Sequence, residues 1–158
     1  MEAVALLSLA MDVIAQTSQA FKLFIEESIA KIPSELSPVK QTKITEALKQ
    51  IKKNHDFHVA SVIESISNLQ EVIKQRKTEQ IIANDPLNYA FTDEQIEKTV
   101  ESFINNYTKL IATKISFVET LVVSEYIFEC YGQSFKNLSK NIDFLINEYL
   151  EKKQKIKS

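Results

Sequence analysis

Residues that break helices are almost absent from this chain. One glycine and three prolines occur among 158 residues, and both residue types disfavour a helix interior. Because so few breakers leave little room for turns, we expect a small number of long helices. Apolar residues at 44% and charged residues at 25% are typical of a folded soluble domain and not of a disordered segment. The sequence therefore predicts a single all-α domain over residues 1–158.

The first two helices are bounded by the segment "IPSELSPVK". Apolar residues in steps of three and four predict a first helix over Glu2–Lys31. Ser37 followed by Pro38 is a typical cap and first-turn pair. The second helix is predicted over Pro38–Ala83, and its apolar phase runs without a break through Asn54.

Two further helices are predicted in the second half of the chain. Thr92 and Gln95 form a capping box at the start of a third helix, which is expected from Asp93 to about Tyr131. The single glycine, Gly132, is a natural helix stop. A fourth helix is therefore expected from about Gln133 to Lys155.

The unequal helix lengths predict an overall shape. Short connections make neighbouring helices antiparallel, so the fold class is an elongated antiparallel bundle of four helices around a long helix 2/helix 3 hairpin. Residues 1–68 and 107–158 are expected to form the bundle half, in the manner of a coiled coil. Residues 69–106 are expected to project as a hairpin arm that no other part of the chain covers.

The predicted arm is rich in apolar side chains, and exposed apolar patches on soluble proteins usually mark contact surfaces. This pattern favours a non-enzymatic helical interaction module of the adaptor, chaperone, immunity or effector type. Its partner is expected to be another protein or a second copy of the chain. The candidate protein-binding residues are Leu69, Val72, Ile73, Ile81, Ile82, Leu87, Tyr89 and Phe91.

Both histidines of the chain fall in the predicted seam of helix 2. His55 and His58 are three residues apart, which places them on one helix face. Antiparallel alignment brings Lys114 of helix 3 and Tyr149 of helix 4 to the same level, and Asp56 lies between the two histidines. We therefore expect a polar core layer, whose members must satisfy one another's hydrogen bonds.

Two alternatives give this layer a function. Di-metal bundles use Glu-x-x-His twice, and the chain has no such motif, so a small-ligand or metal site would rest on the histidines alone. The segment "HDFH" resembles the phosphoacceptor helix of some sensor histidine kinases. That resemblance implies His55 as the acceptor and Asp56 as its helper. An exposed His55 would favour phosphotransfer, and an enclosed one would argue against it.

Composition argues against several other functions. The net charge of -2 is unfavourable for nucleic-acid binding. There is no Gly-rich phosphate loop, Cys/His cluster or Ser-His-Asp arrangement, so neither a cofactor nor an enzymatic activity is expected. The apolar N-terminal segment lacks a basic leader and is interrupted by Asp12. We therefore expect no membrane span and a cytoplasmic location.

Overall fold

The computed structural model describes the backbone of residues 2–83, 93–125 and 128–157, and the side chains of residues 3–75, 94–125 and 131–157. The protein is an all-α helical bundle, as predicted, and the described part of the chain contains no strand. Its four helices are α1 (Glu2–Ala30), α2 (Pro38–Ala83), α3 (Asp93–Ser124) and α4 (Phe128–Lys157).

The start of α2 confirms the predicted cap. The backbone N–H of Lys40 donates to the hydroxyl oxygen of Ser37 at 3.3 Å, which satisfies one of the free donors at a helix N-terminus. The side chain of Gln41 donates to the carbonyl oxygen of Leu36 at 2.7 Å and so holds the preceding turn. From there α2 continues unbroken through Asn54, as expected.

The predicted helix stop at Gly132 is wrong. Helix α3 ends at Ser124 and α4 already begins at Phe128, so Gly132 lies inside α4. A glycine there costs roughly 1 kcal/mol relative to alanine. Tyr131 compensates for that cost, because its side chain is fully buried and its hydroxyl donates to the carbonyl oxygen of Ser28 at 2.8 Å. Tertiary packing therefore outweighs the local preference of the glycine.

Helix α1 is the centre of the bundle, because its contacts with each of the other three helices are more extensive than any contact among those three. It runs antiparallel to α2, since Gln70 donates to Ser8 near the start of α1 and Lys52 pairs with Glu26 near its end. Its residues contribute much of the apolar core, including Leu6, Leu7, Ala10, Val13, Ile14, Phe21, Phe24 and Ile25.

The described part of the predicted arm is covered by its own chain, contrary to expectation. The N-terminal turns of α1 reach the level of Gln70. The end of α4 reaches Glu101 and Glu97, which receive hydrogen bonds from Lys153 and Lys157. Because α4 starts five residues earlier than predicted, it extends further back along α3. The residues that would form the tip of the arm lie outside the described side chains.

Helix α1 also bears on the question of a membrane. By length and composition alone, residues Ala3–Ala30 are apolar enough to cross a membrane. Core helices of soluble proteins pass the same test. Half of the most apolar 18-residue window of α1 is buried inside the bundle, where α1 packs against its three neighbours.

Candidate functional site

His55 is the centre of a buried polar cluster between α1, α2 and α3. Its side chain is fully buried, and the ring of Phe21 lies 4.6 Å from the imidazole ring, measured between centroids. The Nε2 atom is 3.4 Å from the hydroxyl oxygen of Tyr107, at the long limit of a hydrogen bond. The Nδ1 atom has no hydrogen-bond partner among the described residues, and the carboxylate of Asp56 is 4.0 Å away.

The surroundings of this cluster disfavour charge. Burial lowers the pKa of His55 from 6.5 to about 4, because desolvation penalises the imidazolium. Asp56 opposes this effect, while the cations of Lys114 and Lys22 lower the pKa further. Burial also raises the pKa of Tyr107 to about 12. At neutral pH both groups are therefore uncharged, and His55 and Tyr107 are neutral polar side chains within the core.

The expected polar layer is only partly present. Lys114 is buried and close enough to His55 to act on its titration. Asp56 is half-buried and pairs with Lys22 at 3.4 Å. His58, by contrast, is exposed. The layer therefore consists of His55 and Lys114 in the core with Asp56 at its edge.

His58 lies outside the core because of its angular position on α2. Three residues turn a helix of 3.6 residues per turn by about 300°, so His58 lies about 60° around the helix from His55. Val72 is displaced in the same direction by about 100°. The buried positions continue through Ile66 and Ile73 instead.

Tyr149 is buried, as expected, but at a different level of the bundle. It lines a cavity with Glu101, Ile104 and Lys153, well away from His55 and Lys114 along α3. Its hydroxyl has no hydrogen-bond partner among the described side chains. The early start of α4 explains the difference, because it shifts the register of α4 against α3 and moves Tyr149 towards the start of α3.

The two functional alternatives for the histidines find little support in this geometry. A phosphoacceptor imidazole must be reached from solvent, and His55 is enclosed by Phe21 and Tyr107. Among the described residues, no group of three or more His, Cys, Asp or Glu side chains is arranged to hold a metal ion. His58 is exposed and belongs to no such group among the described residues.

The candidate contact residues of the arm fall into two sets. Ile73 is buried with 2% of its surface exposed, Leu69 is half-buried, and Val72 is 38% exposed. Ile73 therefore belongs to the core and not to a contact surface, because α1 reaches this level of α2. The side chains of the other candidates lie outside the described residues: Ile81, Ile82, Leu87, Tyr89 and Phe91.

A different surface stands out on the outer side of α2 and α3. The flank of α2 that faces α1 carries the ion pairs Lys22–Asp56 and Lys52–Glu26. The flank of α3 that faces α4 carries Glu97 and Glu101. The opposite flanks of α2 and α3 carry the ion pair of Lys43 with Glu125 at one end. Beyond that pair, one stripe of each helix has no exposed Asp, Glu, Lys or Arg among its described side chains, and Lys114, which borders the stripe of α3, is buried.

We call these two stripes together the uncharged face. Its residues follow steps of three and four on each helix, which keeps them on one side. On α2 they are Ala47, Ile51, Asn54, His58, Ser61, Ser65, Asn68 and Val72. On α3 they are Thr99, Phe103, Asn106, Leu110, Thr113, Phe117, Leu121 and Ser124.

Apolar side chains form the floor of the uncharged face, and small polar ones form its rim. Ile51, Phe103, Leu110 and Leu121 are half-buried and pack against the core. Phe117 is 54% exposed, a large apolar area to leave in water. The sequence signal for this face is a gap in the charge pattern of α2 and α3, which an analysis of apolar residues alone does not detect.

Comparison with known proteins gives no relative for this chain. No family model, no curated protein and no solved structure matches it. Its function must therefore be inferred from the buried cluster around His55 and from the uncharged face.

Proposed function

We propose that this protein is a non-enzymatic helical interaction module that binds a protein partner through the uncharged face. The observation that carries the proposal is the absence of charge from Ala47 to Val72 and from Thr99 to Ser124 on this face, in a chain with 25% charged residues. The cores of protein interfaces are depleted in charged residues and enriched in aromatic ones. Phe103 and Phe117 supply the aromatic component.

The polar rim favours a protein over a membrane. Asn54, Ser61 and Asn106 carry amide or hydroxyl groups, which would lose their hydrogen bonds in hydrocarbon. Helices that lie on membranes usually carry Lys or Arg on their polar face, whereas the uncharged face has neither along the described length. The predicted tip residues around Tyr89 and Phe91 remain a second, separate prediction for the same function.

Affinity capture from the native source tests the proposal. The purified chain, Phe117→Glu and the control Phe144→Glu are compared as baits. Phe144 is 64% exposed and lies on α4, outside the uncharged face. We expect specific partners with the native chain and with Phe144→Glu, and their loss with Phe117→Glu. Equal recovery of the same proteins with all three baits would show that capture does not depend on Phe117, and the proposal would then be wrong.

A further inference from the structure

We infer that the partner of the uncharged face is a second copy of this chain, an inference that rests on the proposed function and names its partner. In a dimer with two-fold symmetry the same surface patch meets itself. A face with charges of one sign would therefore repel its own copy. Beyond the Lys43–Glu125 ion pair at one end, the uncharged face has no exposed Asp, Glu, Lys or Arg among its described side chains, so its pairing brings no exposed like charges together.

The polar groups of the face are complementary to themselves. The hydroxyl of Ser65 donates to the carbonyl oxygen of Ser61, and the hydroxyl of Thr113 donates to the carbonyl oxygen of Lys109, so both hydroxyl oxygens keep lone pairs as acceptors. The amide oxygen of Asn54 accepts from Gln50, which leaves the amide N–H groups of Asn54 as donors. Amide donors of one copy and hydroxyl acceptors of the other can therefore satisfy each other when the face is paired.

The area of the face matches that of a stable dimer. From Ala47 to Val72 it extends over roughly 38 Å, at about 1.5 Å per residue. Two adjacent helices present a width of roughly 20 Å. The face therefore offers on the order of 700 Å² per copy, or about 1,400 Å² in the pair, which lies within the usual range of about 1,200–2,000 Å² for specific interfaces.

Burial of the apolar side chains of the face favours association. Phe117 is half exposed beside the half-buried side chains of Leu110 and Leu121. Pairing removes this aromatic ring from water on both copies at once. Aromatic side chains that become buried near the centre of an interface typically contribute most of its binding energy. The exposed Phe57 and Phe144 lie outside the face and are not required for pairing.

Sedimentation equilibrium of the purified full chain, from low to high micromolar concentration, tests this inference. We expect a dimer for the native chain and for Phe144→Glu, whose substitution lies on α4 and outside the face. We expect Phe117→Glu and Ser61→Lys to raise the dimer Kd by roughly tenfold or more. Ser61 is exposed, so its replacement places a charge on the face without disturbing the core, and circular dichroism checks that both variants stay helical.

The possible results separate the two proposals. A native chain that is monomeric at high micromolar concentration overturns self-association, and capture that still depends on Phe117 then leaves the interaction module standing with a different partner. A dimer that Ser61→Lys and Phe117→Glu leave intact places the interface elsewhere and also overturns the inference. A monomer that co-sediments with phosphatidylcholine/phosphatidylserine vesicles through Phe117 overturns both proposals in favour of a membrane surface.

Discussion

Two polar side chains of α2, Gln70 and His55, are buried in the interface with α1, and they are satisfied to different degrees. The amide nitrogen of Gln70 donates to the hydroxyl oxygen of Ser8 at 2.8 Å and to the carbonyl oxygen of Val4 at 3.2 Å. His55 has one long contact, to Tyr107, and an Nδ1 atom without a hydrogen-bond partner. The same interface therefore contains one polar side chain with two hydrogen bonds and one with a single long contact.

The difference follows from what α1 offers at each level. Near its N-terminus α1 presents Ser8 and a carbonyl oxygen that the long, flexible Gln70 side chain can reach. Opposite His55, α1 presents the ring of Phe21, which packs against the imidazole and accepts no conventional hydrogen bond. A rigid imidazole cannot turn both nitrogens towards acceptors on α3. The contact at His55 is therefore the one that a change in pH can disturb.

The largest expected effect is a loss of stability in acid that depends on His55. The pKa of His55 is about 4 in the folded state and 6.5 in the unfolded chain. As pH falls from 6.5 towards 4, the unfolded chain binds a proton that the folded protein does not, so the free energy of unfolding decreases. At about 1.4 kcal/mol per pH unit, the total loss is on the order of 3 kcal/mol. Urea unfolding between neutral pH and pH 4 measures it.

His55→Leu and His58→Gln form a matched pair for this experiment. His55→Leu should show a much smaller decrease in the free energy of unfolding on acidification, because leucine takes up no proton. His58→Gln should show the same decrease as the native protein, because His58 is exposed. An acid profile that His55→Leu leaves unchanged would show that carboxylates alone cause the loss and that the comparison with Gln70 is mistaken.

At neutral pH, Gln70→Ala should destabilise the protein more than His55→Leu does. Gln70→Ala removes a buried side chain and two hydrogen bonds, and we expect it to cost roughly 1–3 kcal/mol at every pH. His55→Leu replaces an incompletely bonded side chain by an apolar one of similar size, so its cost should stay below about 1.5 kcal/mol. Chemical denaturation of both variants at pH 7 compares them. A larger cost for His55→Leu would mean that the contact with Tyr107 is stronger than its length indicates.

Local signals were sufficient to predict most of the helix boundaries. Ser37 and Pro38 act through neighbouring backbone groups, so the start of α2 follows from a few residues of sequence. The absence of breakers gives the all-α fold for the same reason. The prediction at Gly132 failed because Tyr131 packs against α1, about a hundred residues away in sequence, and no local rule includes that contact.

The same error explains the misplacement of Tyr149. Moving the start of α4 changes which residue of α4 lies opposite each residue of α3, so Tyr149 could not be placed once the turn was wrong. His58 was misplaced for a different reason: residues three apart lie about 60° from each other around a helix, and only His55 points into the core. The enclosure of His55 and its proximity to Lys114 could be anticipated, because they depend on the central turns of the helices.

The smallest expected effect is a pair of opposite shifts in the pKa of His55. Asp56 favours the imidazolium and Lys22 disfavours it, and the two side chains pair with each other at 3.4 Å. Asp56→Asn removes the attraction and leaves the repulsion of Lys22 unscreened, so the pKa of His55 should fall further. Lys22→Gln removes the repulsion and frees the carboxylate, so the pKa should rise. Both shifts should be smaller than the one that burial causes.

Titration of the imidazole Cε1–H signal by NMR distinguishes the signs directly. Because Asp56 is 41% exposed and Lys22 34% exposed, solvent screens their charges, and high salt should shrink both shifts. The change that burial produces should persist in salt, because desolvation does not depend on ionic screening. Gln70→Ala serves as the control, since it alters the same interface without removing a charge. Shifts of equal sign in the two charge variants would show that they act through packing, and the electrostatic account of His55 would then fail.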